Sequence, residues 1–171
     1  HVMEMSLEAM TSVECEPNIF VCPPIKGYST SMMTVERGVF KFSVNASVWH
    51  EAMRCMKDVD FCDMFVGYGT GGAVALALAV INYIDHKAKA AVCSFGAPAI
   101  GDHQFNKLCR HVDHIRVRHQ GDSLPQQNLW CRHACRAVQV GGGSVSCIEK
   151  MIVRAAAHAG CFITPIPFRT Y

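Results

Sequence analysis

The chain has 171 residues, of which 50% are hydrophobic and 18% charged, and its formal net charge is +2. These values predict a single globular domain over residues 1–171 and exclude an intrinsically disordered chain. The small net charge gives no indication of nucleic-acid binding. The longest apolar stretch, residues 73–81, is far shorter than the roughly 20 residues that a membrane-spanning helix needs.

Apolar runs and helical patterns alternate along the chain. In chain order, we predict a strand at 18–22, a loop at 25–38, a helix capped by Ser43, a strand at 64–66, a helix at 73–83, a strand at 90–95, a helix at 104–110, strands at 114–118 and 137–140, and a helix at 148–160. Strands that alternate with helices predict an α/β fold with a mostly parallel sheet and helices on both faces.

The ten cysteines are scattered among apolar neighbours, which predicts buried thiols in a reduced protein. No signal peptide is visible, so we expect an intracellular protein rather than a secreted one. The alternative is a secreted disulfide protein, with which the sequon Asn45-Ala46-Ser47 is compatible, although Asn45 lies in a predicted helix. The start at His1 is compatible with a segment of a larger precursor.

The most informative segment is residues 61–79, where a short apolar run enters a glycine-rich turn and leaves as an alanine-rich helix. This order is the context of a G-x-S-x-G nucleophile elbow, in which a strained central serine projects above the sheet. Gly67 and Gly71 hold the outer positions of that motif, and Gly69 holds the centre. The sequence therefore predicts the scaffold of an elbow without its nucleophile.

Four segments together resemble the class 3 lipases, a group of α/β-hydrolases, over about residues 19–162. Residues 67–73 (G-Y-G-T-G-G-A) match the family's G-H-S-L-G-G-A, and residues 94–102 (S-F-G-A-P-A-I-G-D) match its T-F-G-A-P-R-V-G-N. Residues 121–125 (G-D-S-L-P) and 158–162 (H-A-G-C-F) resemble the segments that carry the acid and the histidine of the catalytic triad. The resemblance implies a compact α/β-hydrolase core and a lipid or acyl ester ligand.

The resemblance also assigns catalytic positions. Gly69 stands at the nucleophile position, His158 would be the general base, and Asp122 would orient His158. No cofactor, metal or nucleic acid is implied. Losing the nucleophile of a triad leaves only about 10³–10⁴-fold catalysis over water.

The resemblance further assigns the oxyanion hole and a lid. The hole would use the backbone N–H groups of Thr70 and Ile25, in a loop reading C-P-P-I where the family has F-R-G-T, with a hydroxyl residue at the position of Ile25. Met32 and Met33 lie where the family places a lid over its site. Two adjacent methionines could cap a lipid-binding cleft or pack into the core.

Two functions fit these residues. The first is a pseudoenzyme, a lipase-like scaffold that binds a lipid or a protein partner. The second is a serine ester hydrolase, an acylglycerol lipase or phospholipase, inactivated by a serine-to-glycine replacement at position 69. Retention of Asp122 and His158 favours the second function. The departures from the family pattern favour the first, and they are Pro23, Pro24, Tyr68 and Ala157.

A cysteine- and histidine-rich stretch, residues 109–135, is a candidate zinc site, because Zn²⁺ accepts both residue types as ligands. Its spacings match no standard zinc motif, and interleaved arginines would repel a cation. We therefore predict no metal site there. The candidate ligands are Cys109, His111, His114, His119, Cys131, His133 and Cys135.

Overall fold

The computed structural model describes residues 19–59, 62, 64–119, 131 and 137–140. The strands are β1 (Ile19–Cys22), β2 (Met32–Arg37), β3 (Phe40–Asn45), β4 (Met64–Tyr68), β5 (Ala91–Phe95), β6 (Asp113–His119) and β7 (Ala137–Val140). Five of them form a parallel sheet in the order β1-β4-β5-β6-β7, and β2 and β3 form a separate antiparallel hairpin. The helices are α1 (Ala46–Cys55), α2 (Thr70–His86) and α3 (His103–Leu108), with 3-10 turns at Met56–Asp58 and Cys109–His111.

The predicted α/β fold with a mostly parallel sheet is confirmed. Helix α2 connects β4 to β5 and packs against both strands and against α1, which explains why residues 71–81 are all buried. Consecutive residues of a strand point to opposite faces of the sheet. Because Phe65 and Val66 are both buried, both faces of the sheet are covered there.

The described cysteines also fit the prediction from composition, since Cys22, Cys55, Cys93 and Cys109 are buried among apolar residues. No helix in the described ranges is long and apolar enough to cross a membrane.

The prediction of a loop over residues 25–38 is wrong for its second half. Residues 32–37 form β2, which pairs with β3 in the hairpin. In β2, the half-buried Met33 and the buried Val35 alternate with the exposed Thr34 and Glu36, which is the period of a strand. Gly38, with φ of 58°, starts the two-residue turn that joins the strands. Ser29, Thr30 and Ser31, directly before β2, are typical of a loop, and they concealed this alternation in the sequence.

The predicted N-cap at Ser43 is also wrong, because Ser43 lies in β3 opposite Thr34. The cap of α1 is Asn45, whose Oδ1 accepts the Val48 N–H at 3.0 Å and whose Nδ2 donates to the Ser29 carbonyl at 2.8 Å. Asn45 is only 2% exposed. The Asn45 sequon is therefore closed to a glycan in the folded chain.

Asp102 fixes the hairpin to the loop that follows β5. Its Oδ1 accepts the Phe105 N–H at 2.9 Å and caps α3, while its Oδ2 accepts the Ser43 N–H at 3.1 Å. The Asn45 N–H donates to the Ile100 carbonyl at 2.8 Å. These bonds hold the loop between β5 and α3 in one position.

A bidentate ion pair ties the hairpin to the last turn of α2. Arg37 Nε donates to Asp85 Oδ1 at 2.9 Å and Nη2 to Oδ2 at 2.7 Å, and the two side chains are 28% and 24% exposed. The hydrogen bond from Arg37 lowers the pKa of Asp85 below its ordinary 3.8, against a smaller opposing effect of burial.

We expect Asp85→Asn to lower the free energy of unfolding by about 1 kcal/mol near pH 7, since paired, partly buried charges contribute modestly. Because the folded-state pKa of Asp85 is depressed, its contribution is complete above the unfolded-state value and is lost as pH falls through the folded-state value. Urea unfolding of both proteins from pH 7 to pH 3 measures the difference. A difference that persists unchanged below pH 4 would contradict this assignment.

Candidate functional site

The turn between β4 and α2 is built around Gly69. Gly69 has φ of 59° and ψ of −129°, a conformation that side chains rarely adopt and that lies outside the left-handed helical region. Its N–H donates to the Phe95 carbonyl at 2.8 Å, and its carbonyl accepts the Gly72 N–H at 3.1 Å. The structure thus places Gly69 at the tip of a strained strand-to-helix turn, as expected for an elbow.

The flanking glycines are required by close packing. A Cβ on Gly71 would lie 2.1 Å from the Cys22 carbonyl oxygen, and a Cβ on Gly67 would lie 2.2 Å from the Gly71 carbonyl carbon. Both obstructing atoms belong to the backbone, so they cannot swing aside. Only glycine at these two positions lets α2 begin this close to β1 and β4.

Gly69 itself differs from its neighbours. The residue is buried, yet a Cβ built on it meets no described atom within 4 Å. Among the described residues, the cost of adding a Cβ at the centre of this turn therefore lies in the positive φ alone.

The two residues assigned to the oxyanion hole lie together. Pro23 and Pro24 have no N–H, so Ile25 carries the first backbone donor after Cys22. The Ile25 N–H donates to Thr70 Oγ1 at 2.7 Å. Thr70 is the first residue of α2, where N–H groups lack partners within the helix, and the N-cap residue Gly69 has no side chain that could cap this end.

Asp122 and His158 lie outside the described residues, as does Ala157, so the geometry of the triad stays a prediction. The lid candidates Met32 and Met33 are described, and both lie in β2 rather than in a loop. Met33 packs against the core.

The Met32 side chain contacts a buried thiol. The Sγ of Cys131, a residue 4% exposed, donates to Met32 Sδ at 3.7 Å. Burial, and secondarily Cys131, raises the pKa of Tyr28.

A polar recess that the sequence reasoning missed lies beside the start of α2. Ser94, fully buried, bonds through Oγ to His114 Nε2 at 2.8 Å, and Asn106 and Arg116 also line the recess. The recess has room for roughly one water molecule. The alternation of His114 and Arg116 on β6 was the available signal, since it places both on one face of the sheet.

The described histidines and cysteines of residues 109–135 contact different partners. His111 stacks on Tyr83 with ring centroids 4.2 Å apart, His114 bonds to Ser94, and Cys131 contacts Met32. Within the ranges that the structure describes, no three His, Cys, Asp or Glu residues are grouped as metal ligands would be. His133 and Cys135, and the side chain of His119, lie outside those ranges.

Comparisons with known proteins bear on the family and the fold. The family profile described as Lipase (class 3) matches residues 5–130. A triacylglycerol lipase from Penicillium expansum has a similar fold, with a TM-score of 0.55 and 14% sequence identity, covering 75% of this chain and 61% of that one. This chain therefore spans less than two thirds of that lipase.

A deletion mutant of Rhizomucor miehei lipase, in complex with a propeptide, matches with a TM-score of 0.42 and 16% identity over 52% of this chain and 33% of that one. No curated protein matches the chain.

Proposed function

Because this chain belongs to the class 3 lipase family, we propose that it is a lipase-like scaffold that binds an acyl ester or related lipid at the elbow without hydrolysing it. The observation that carries the proposal is Gly69, which holds the strained conformation of an elbow but offers no atom for attack. Acyl transfer by this route needs an oxygen or sulfur nucleophile at that point. Binding needs only hydrogen-bond donors and an apolar surface beside them.

The surroundings of Gly69 support an apolar ligand. Tyr68 is 52% exposed directly beside Gly69, and the half-buried Ile25 contacts Thr70, the next residue after Gly69. Tyr68 is one of few large apolar side chains exposed in the described ranges. An aromatic ring with a polar tip suits the boundary between an acyl chain and water.

The second candidate is a serine ester hydrolase silenced by replacement at position 69. The surroundings of Gly69 favour it, since a Cβ added there would meet no described atom within 4 Å. A binding site that had lost catalysis long ago would have no need to keep this space. A protein partner at the same site is a further outcome that binding experiments can detect.

We expect the native chain to bind methyl decanoate in isothermal titration calorimetry, to release no decanoic acid from it, and to resist labelling by a fluorophosphonate probe. Tyr68→Asp should weaken binding about tenfold or more, because a carboxylate beside the acyl chain must be desolvated. The matched control is Val39→Asp. Val39 is 91% exposed and lies in the turn of the β2-β3 hairpin. This turn lies near Ile84, in the last turn of the 17-residue helix α2, whereas Tyr68 precedes the first turn of that helix.

Equal weakening by Tyr68→Asp and Val39→Asp would contradict binding at the elbow. Hydrolysis of the ester by the native chain would overturn the proposal, because another nucleophile would then be at work.

A further inference from the structure

The hydroxyl group beside the elbow comes from a different element in this chain than in the class 3 lipase pattern. The class 3 lipase pattern has a hydroxyl residue at the position of Ile25 and leucine at the position of Thr70, whereas this chain has the reverse distribution. The Thr70 hydroxyl nevertheless lies against the Ile25 backbone, 2.7 Å from its nitrogen. A hydroxyl therefore remains next to this loop, but α2 supplies it.

The direction of that hydrogen bond determines what the hydroxyl can do. A threonine hydroxyl has one proton to donate and two lone pairs to accept with. Ile25 N–H is the donor to Thr70 Oγ1, so the hydroxyl proton is directed elsewhere. Within the described part of the chain, no acceptor takes that proton. A hydroxyl that already accepts a bond is polarised and donates more strongly.

The same bond removes Ile25 as a direct donor. Its N–H is engaged at a short distance, and a ligand oxygen would have to displace the Thr70 hydroxyl to reach it. Thr70 carries two donors beside Gly69, its N–H at the first turn of α2 and its hydroxyl.

Resting on the function proposed above, we propose that the Thr70 hydroxyl, oriented by the Ile25 N–H, joins the Thr70 N–H in binding the carbonyl oxygen of an acyl ester at the elbow. Ile25 then acts as a positioning residue. The ligand class is set by this pair of donors, which select a carbonyl oxygen over an ether oxygen or a bare hydrocarbon, because they leave a hydrogen bond unmade when the carbonyl is absent.

The first test compares two ligands of equal length, methyl decanoate and methyl decyl ether, which lacks the carbonyl. Thr70→Val should weaken binding of the ester about 3- to 10-fold and leave binding of the ether unchanged, as expected for one hydrogen bond. Thr70→Ser should retain ester binding. Thr34→Val, at an exposed position of β2, is the matched control for loss of a threonine hydroxyl.

Equal loss of ester and ether affinity in Thr70→Val would mean that Thr70 acts only by packing, and it would overturn the proposal. If Thr70→Val does not fold, Thr70→Ala replaces it, because the smaller side chain leaves room for a water at the Ile25 N–H.

The second test does not depend on ligand binding by the native chain. In a Gly69→Ser background, Thr70→Val should slow labelling by a fluorophosphonate at least tenfold relative to Thr70→Ser, because it removes a donor to the phosphonyl oxygen. If Ile25 N–H were the direct donor, removing the hydroxyl would free it and labelling would accelerate. Acceleration, or no labelling in any serine variant, would overturn this inference. Failure of the native chain to bind either ligand, with labelling slowed as expected, would instead count against the proposed function alone.

Discussion

Gly71→Ala should unfold the domain under conditions where the parent chain is folded. The added methyl would lie 2.1 Å from the Cys22 carbonyl oxygen and 2.9 Å from the Pro23 carbonyl group. These are backbone atoms of β1 and the loop after it, so relief requires α2 to move off the sheet. We expect a loss of at least about 4 kcal/mol, a large part of the stability of a typical domain.

Gly69→Ala provides the comparison within the same turn. A methyl at Gly69 meets no described atom within 4 Å, so its cost is that of the sparsely populated backbone conformation with φ of 59° and ψ of −129°, about 1–3 kcal/mol. Gly27→Ala, with φ of 71° and equally open surroundings, should cost about the same. Urea unfolding followed by circular dichroism measures all three. A Gly71→Ala protein within 1 kcal/mol of the parent would show that the close approach of α2 to β1 is incorrect.

Gly69→Ser should convert an unreactive chain into one that a fluorophosphonate labels. A Cβ at position 69 meets no described atom within 4 Å, the elbow already holds the required backbone conformation, and Thr70 supplies donors beside it. For short-chain esters we expect turnover to rise about 10²- to 10³-fold, because the added serine oxygen can attack the ester and the donors at Thr70 can stabilise the oxyanion that forms. Active-site titration with the probe and a pH-stat assay measure the two quantities, with Gly69→Ala as the control.

The size of the gain separates the two candidate functions. An intact triad contributes about 10⁶-fold in a serine hydrolase. A gain near that value would mean that base and acid are already in place, and it would replace the binding scaffold with the silenced hydrolase. No labelling at all would contradict the proposed role of the elbow.

The sheet strands and the elbow could be predicted from the sequence because their signals are local. Residues 64–83 carry an apolar run, glycines and alanines in one stretch, and the structure follows that order. The hairpin was missed because Ser43 and Thr34 are read as cap and loop residues, although they pair across the two strands. Local preference for a helix cap was overridden by strand pairing at that point.

The contact between Ile25 and Thr70 could not have been predicted in the same way. The two residues are 45 positions apart, and the direction of their hydrogen bond depends on how the loop after β1 passes the start of α2. The bond between Ser94 and His114 depends likewise on the parallel register of β5 with β6, which pairs Val92 with His114 and Ser94 with Arg116. Sequence identifies such residues as polar, and only packing gives them partners.

The close packing of Gly67 and Gly71 has an evolutionary consequence. At both positions an added Cβ would collide with backbone atoms, so glycine is required for folding and not for catalysis. Selection on folding alone therefore preserves both glycines after catalysis is lost. Gly69 meets no such collision among the described residues, so only the cost of its positive φ opposes other small residues at that position. Descendants of an enzyme of this kind would keep a G-x-G frame around a changing centre. A search keyed to the outer glycines would then gather active and inactive lineages alike, and only the central position would tell them apart.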